Sequence, residues 1–240
     1  MNRLGKHHTI NEWVKEDMSR TAVFQELDID FCCGGEQTLH DACREKGLDL
    51  DAVLERLSPA SAEKPVDSVK DWGSVSVQEL ADHIESTHHV YLREAMPVLT
   101  DLLKKVVQAH GEHHPELAQL QSSVSELFSD FQSHLMKEER ILFPMIRNMF
   151  LKAPAGEYFC TNFQGPVLAM QSEHDRVDRL LEEIRRLTDD YQMPADGCET
   201  YRLMLDRLKE LELDLHVHIH KENDILFPGI LDLERSQQVV

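Results

Sequence analysis

From Ser76 to about Leu233, apolar residues recur at alternating steps of three and four, the spacing of one helix face. No stretch there sustains the period-two alternation of a half-buried strand. Four long helices follow from the pattern. The first opens at Ser76-Val77-Gln78-Glu79, a capping-box sequence, and runs to about Ala109, with Pro97 expected to kink it or end it early. The second spans roughly Pro115 to Phe150, with Pro144 expected to bend or interrupt its last turns. The third runs from about Gly165 to Tyr191, and the fourth covers about Glu199 to Phe227 and stops at Pro228-Gly229. Upstream, residues 1–57 contain short helical patterns broken by FCCGGEQTL, and residues 58–75 (SPASAEKPVDSVKDWGSV) read as a linker. The expected class is all-α: a small helical domain over 1–57, a linker over 58–75 and a four-helix bundle over 76–233.

Polar residues interrupt the apolar seams at related places. The second helix carries Leu127, Phe131, His134, Glu138, Ile141 and Met145 in line; the third carries Val167, Met170, His174, Val177, Leu181 and Ile184; the fourth carries Leu208, Leu211, Leu215, His218, Glu222 and Ile225. Two of these interruptions belong to a repeat. HLMKEERILFP at His134–Pro144 returns 84 positions later as HIHKENDILFP at His218–Pro228, with seven of eleven residues identical and the His-x-x-x-Glu spacing kept. In a helix that spacing puts imidazole and carboxylate on one face, a turn apart. The first helix offers two stripes, one through His89, Leu92, Met96, Leu99, Leu103 and Val106, the other through Ile84, His88, Tyr91 and Ala95. His174 precedes His218 by 44 residues and His89 precedes His134 by 45, which favours His89, with His88 as the fallback.

A carboxylate in an apolar seam is costly unless something positive meets it. Four imidazoles (His89, His134, His174, His218) and two carboxylates (Glu138, Glu222) are too many ligands for one metal ion. They suit two, each ion taking two His with both Glu bridging and with open positions left over. Mixed nitrogen and oxygen donors suit iron, with zinc or manganese chemically compatible. His216 and His220 fall on the opposite face from His218 and read as exposed; His110, His113 and His114 read as loop residues, and His83 as a surface residue or an orienting donor.

Composition removes other classes. A formal net charge of −19 argues against a nucleic-acid backbone or an anionic membrane surface as the main partner. No window approaches the roughly 18 apolar residues of a membrane span, and the N-terminus lacks a secretory apolar stretch. Five cysteines (Cys32, Cys33, Cys43, Cys160, Cys198) form no disulfide framework, which fits a reducing cytoplasm. Cys32 and Cys33 admit two readings, a helix-start turn freed by Gly34-Gly35 or a thiol pair on a loop; the other three read as incidental.

SHLMKEERILFP and LHVHIHKENDILFP resemble hemerythrin-type helices, and DIDFCCGGEQTLHDAC resembles the short Cys-Cys-Gly-Gly domain that precedes them in the RIC proteins (repair of iron centres). The resemblance runs from about Asn11 to Pro228. It implies a hemerythrin-like bundle holding an oxo- or carboxylate-bridged pair of iron ions, in a cytoplasmic protein that repairs iron–sulfur clusters after oxidative or nitrosative stress. The implied partners are damaged iron–sulfur proteins, with nitric oxide or dioxygen as small ligands; a homodimer is left open. The family's ligands fall on His89, His134, Glu138, His174, His218 and Glu222, and its acidic access residue on Glu173. Asp130 stands where the family pattern has Glu. Cys32 and Cys33 become candidate iron-transfer or redox thiols. Iron donation is the main functional expectation. A di-iron nitric oxide reductase and a dioxygen carrier or sensor are the alternatives, the carrier weakened because its pattern has five His rather than four.

Overall fold

The computed structural model describes residues 4–17, 20–27, 29–31, 35–57, 72–150 and 162–238. Among them every regular element is helical, and the β pairing amounts to an isolated bridge between Thr9 and Thr38. Two compact units separate: Met1–Ser76 with His216–Pro228, and Val77–Leu215 with Gly229–Val240. Cys32, Cys33, Cys160 and residues 58–71 of the expected linker lie outside the described residues.

The first unit contains α1 (Ile10–Glu16), α2 (Arg20–Glu26), α3 (Leu39–Lys46), α4 (Leu50–Arg56) and a tight turn at Trp72–Ser74. Helices this short are marginal alone and need caps and a shared core. Thr9 and Glu12 form a reciprocal capping box on α1, while Thr38 and Asp49 cap α3 and α4. Ile10, Trp13, Val14, Phe24, Phe31, Leu39, Val53 and Leu57 are buried. Arg20 ties the ends together, donating to the Leu57 carbonyl at 3.2 Å and the Trp13 carbonyl at 2.9 Å.

Three of the four long rods are not plain α-helices. The first is α5 (Val77–Ile84), a wide π turn at Glu85–His89, then α6 (Val90–His110). The second is α7 (Glu116–Lys137), a π turn at Glu138–Leu142, then α8 (Phe143–Met149). The third, α9 (Gln164–Leu187), is α-helical throughout, and the fourth runs as α10 (Glu199–His220), a π turn at Lys221–Leu226 and α11 (Phe227–Gln238). Such turns close i→i+5 bonds and insert a residue into the helical count. A seam drawn at 3.6 residues per turn therefore slips by one place beyond each of them. Leu142 and Ile146 are buried where Ile141 and Met145 were expected, and Ile141 is 53% exposed. Leu226 and Ile230 likewise replace Ile225. In the first rod the step from Ile84 to His89 is five, so the competing stripes contribute to one seam: Leu80 and Ile84 before the turn, His89 and Leu92 after it.

The prolines do not end these rods. Pro144 and Pro228 are the second residues of α8 and α11, so each missing N–H falls just past a wide turn, where the i→i−4 ladder is already displaced. Pro97 lies inside an unbroken α6 on its exposed face, where water can serve the carbonyl it frees. Gly229 continues α11 instead of stopping it; a Cβ there would lie 2.8 Å from Val77 Cγ1, so glycine allows α11 to approach the start of α5. The third rod ends earlier than expected, at Leu187, and Asp189, Asp190 and Tyr191 all follow with positive φ.

Past the end of α6, on the residue before α10, Cys198 is exposed with its Sγ 3.2 Å from His110 Nε2. The His110 contact, with backbone N–H groups of Tyr201 and Thr200, holds its thiol down to about 7. Burial pushes Cys43 upward instead. Cys198 is thus expected to alkylate half-maximally near pH 7, against about 8.5 for an ordinary thiol. Peptide-resolved mass spectrometry with iodoacetamide reads this, and His110→Ala should move the midpoint upward. A wild-type midpoint near that of free cysteine would contradict the pairing.

Candidate metal centre

Each of the six seam residues sits at or beside a wide turn, with the exception of His174 on the regular α9. His89 ends the first π turn, Glu138 opens the second one turn after His134, and Glu222 lies in the third one turn after His218. All six are 0–2% exposed. Candidate ligand atoms of His89, Glu138, His218 and Glu222 lie within 4.8 Å of one another, as do those of His134, His174 and Glu222. Glu222 is common to both groups. Glu138 Oε2 is 3.2 Å from His89 Nε2 and 3.5 Å from His134 Nε2, so it meets an imidazole of each group. His218 Nε2 is 3.1 Å from Glu222 Oε1, and the Nε2 atoms of His134 and His174 are 3.2 Å apart.

The outer ring nitrogens decide which way the inner ones face. His89 Nδ1 is 2.8 Å from Glu139 Oε1, and Arg93 donates to the same oxygen. His134 Nδ1 is 3.0 Å from Glu173 Oε2, and Lys137 donates to Oε1. A carboxylate accepts, so in both rings Nδ1 is the donor, and in the neutral ring the Nε2 lone pair points into the cluster. Burial would raise the Glu139 pKa, but the bonds from Arg93 and His89 outweigh it and hold it below the usual range. The bond from His134, against burial and with help from Lys137, holds Glu173 down to about 2. Both outer groups are therefore anionic acceptors at neutral pH. Neutral imidazoles turned this way present two lone pairs to the buried Glu138 carboxylate, and they repel it unless positive charge sits between. Nitrogen and oxygen donors spaced 3.1–3.5 Å apart match the edges of a coordination shell with bonds of roughly 2.0–2.2 Å. The donor set fits a pair of hard or borderline cations.

The remaining polar residues singled out along the chain go elsewhere. His88 is buried, but its Nδ1 is 2.8 Å from Asp214 Oδ1, and His83 packs edge-on against it. Asp130 pairs with Arg176 at 2.8 Å. Glu173, expected along an access path, is bonded to His134. His220, expected to be exposed, has no accessible surface: its Nδ1 lies 2.8 Å from Asp224 Oδ2 and its ring meets Phe31. An ideal helix wheel puts it opposite His218, but residues from the first unit cover that face. Glu139 is the partner the seam analysis missed. It lies about 100° off the seam, and nothing local signals that His89 of another rod will reach it.

Residues 80–230 match the hemerythrin HHE cation-binding domain, and residues 6–61 match a domain of unknown function, DUF542. The chain is 39% identical to the iron-sulfur cluster repair protein YtfE of Enterobacter sp. (strain 638), over 88% of this chain and 90% of that one. It is 37% identical to YtfE of Escherichia coli O81 (strain ED1a), over the same shares. It is 36% identical to a probable iron-sulfur cluster repair protein of Haemophilus influenzae, over 88% and 91%. The chain belongs to the iron–sulfur cluster repair family. Its bundle is a hemerythrin-type cation-binding domain, and no helix among the described residues is long and apolar enough to cross a membrane.

Glu139→Gln and Glu173→Gln retain the shape of the outer acceptors but remove the charge that steadies the imidazoles. Each is expected to lower ferrous-ion affinity by roughly 10–100-fold while leaving the helical content unchanged. Competition against a coloured chelator measures it; wild-type affinity in both variants would show that the outer carboxylates do not orient ligands.

Proposed function

We propose that this member of the family is a di-iron protein whose cluster gives up iron to damaged iron–sulfur proteins. In this reading the ligands are His89, His134, Glu138, His174, His218 and Glu222, with both carboxylates bridging. The observation that carries it is Glu222, fully buried and within ligand distance of both imidazole groups. When bound, the ions supply a pool of ferrous iron together with open coordination positions, since six side chains give fewer donors than two octahedral ions take.

The chain's own residues account for both retention and release. Glu139 and Glu173 keep the Nδ1 protons of His89 and His134 in place, so Nε2 stays available. Departure of the cargo leaves Glu138 and Glu222 as buried anions, which must take up protons or open to water. That penalty opposes spontaneous loss, and an acceptor that binds the ion more tightly offsets it. Cys32 and Cys33 are proposed as thiols that pass or reduce the iron, in a small domain over residues 1–57, joined by a 58–75 linker to a bundle over 76–233. The place of action is the cytoplasm and the partners are damaged iron–sulfur proteins.

Glu138→Ala and Glu222→Ala should each lose most bound iron by elemental analysis while remaining helical by circular dichroism. Full occupancy in both variants would contradict the ligand assignment. Iron-loaded wild type should restore a cluster enzyme damaged by nitric oxide or peroxide in the presence of a ferrous chelator. Recovery with ferrous salt but none with the loaded protein removes the donor role, and sustained nitrous oxide formation from nitric oxide would move the function to an oxidoreductase.

A further inference from the structure

The repeat is asymmetric at the residue before each cluster carboxylate. Lys137 is half-exposed and bonded to Glu173, whereas Lys221 has no accessible surface. Its ammonium lies 4.9 Å above the ring of Trp72, itself 5% exposed. Other grips fall on the same short stretch. The Phe31 ring stands edge-on to His216 at 5.5 Å and to His220 at 6.5 Å, and the buried Asn11 side chain donates to Asp224 Oδ1. Asn11 and Phe31 are themselves locked together: Asn11 N–H donates to Gly35 O at 2.8 Å, and a Cβ on Gly35 would meet the Phe31 carbonyl at 3.2 Å and Asn11 Cβ at 3.3 Å. Residues from three places between Asn11 and Trp72 therefore hold positions 216, 220, 221 and 224, which bracket His218 and Glu222. This is why His216–Pro228 groups with Met1–Ser76.

The held stretch includes the π turn Lys221–Leu226. A π turn is a less favourable helical register and persists where its surroundings hold it. If it relaxed to the α register, the residues beyond it would rotate by about 100° relative to His218, Leu226 would leave the seam, and the packing that confines Glu222 would loosen. We propose that Trp72, Phe31 and Asn11 form a clasp that keeps the Lys221–Leu226 turn wide, and that opening this clasp is the step that lets metal leave. The inference rests on the reading of His218 and Glu222 as ligands. A partner that draws Trp72 off Lys221 would thereby convert a retaining site into a releasing one without touching a ligand.

The test uses the full-length chain with Trp72→Ala and Phe31→Ala, and Trp72→Phe as the variant that keeps a ring face over Lys221. The iron-loaded proteins are mixed with excess ferrous chelator and the rate of colour development is read. The metal-free proteins are examined by hydrogen exchange across residues 216–228. Both alanine variants should lose iron roughly 10-fold faster or more, with exchange raised in that segment, and Trp72→Phe should return both readouts toward wild type. Wild-type rates of iron loss in both alanine variants overturn the clasp, whether or not exchange changes. So does faster loss with unchanged exchange, because the turn would not have been loosened. If Trp72→Ala does not fold, Phe31→Ala and Trp72→Phe carry the same comparison. Failure of the ligand reading appears separately, as full iron content in Glu222→Ala.

Discussion

Glu138 and Glu222 have no accessible surface; Glu138 faces the Nε2 atoms of His89 and His134, whose Nδ1 atoms are held by outer carboxylates, and Glu222 lies against His218. Everything else in the bundle accommodates that arrangement. Ionised glutamates in such surroundings are tolerable only when cations share the space, so the core is built around charge it does not itself supply. The buried Phe143 ring stacks on His89 and the buried Phe131 ring lies against His134, which helps exclude water. Exclusion strengthens each electrostatic contact and makes an empty cluster expensive.

The wide turns provide the geometry. An ideal helix presents a His-x-x-x-Glu pair on one face, and two rods carry such a pair. Inserting one residue at Glu85–His89, Glu138–Leu142 and Lys221–Leu226 lets the seam change phase at the level of the ligands. The shared ILFP sequence marks where the phase changes and where proline is tolerated. α9, which contributes His174 alone, needs no such adjustment and has none.

The duplicated halves have also diverged in what surrounds them. In the first half the outer contacts are ionic: Glu139 with Arg93, and Glu173 with Lys137. In the second, Asn223 and Asp224 replace Glu139 and Arg140, and the lysine is turned into an aromatic face. The first half is thus bordered by ion pairs within the bundle, and the second also by a ring face, a phenyl edge and a side-chain hydrogen bond from the N-terminal residues.

Helical class and the number of long rods were legible in the chain, because each depends on residue type and local period. The repeated His-x-x-x-Glu marked candidate donors by residue type and spacing. The burial of Leu142 in place of Ile141 and the continuation through Pro228 were not legible. Each depends on a π turn, and a π turn is stable only when neighbouring rods fill the space it opens. Glu139 and the buried His220 were invisible for the same kind of reason, since their partners come from residues 50 and 189 positions away in the chain. Local sequence determined which groups could bind a cation; packing between distant segments decided which atoms face it, which way their protons point and what holds them there.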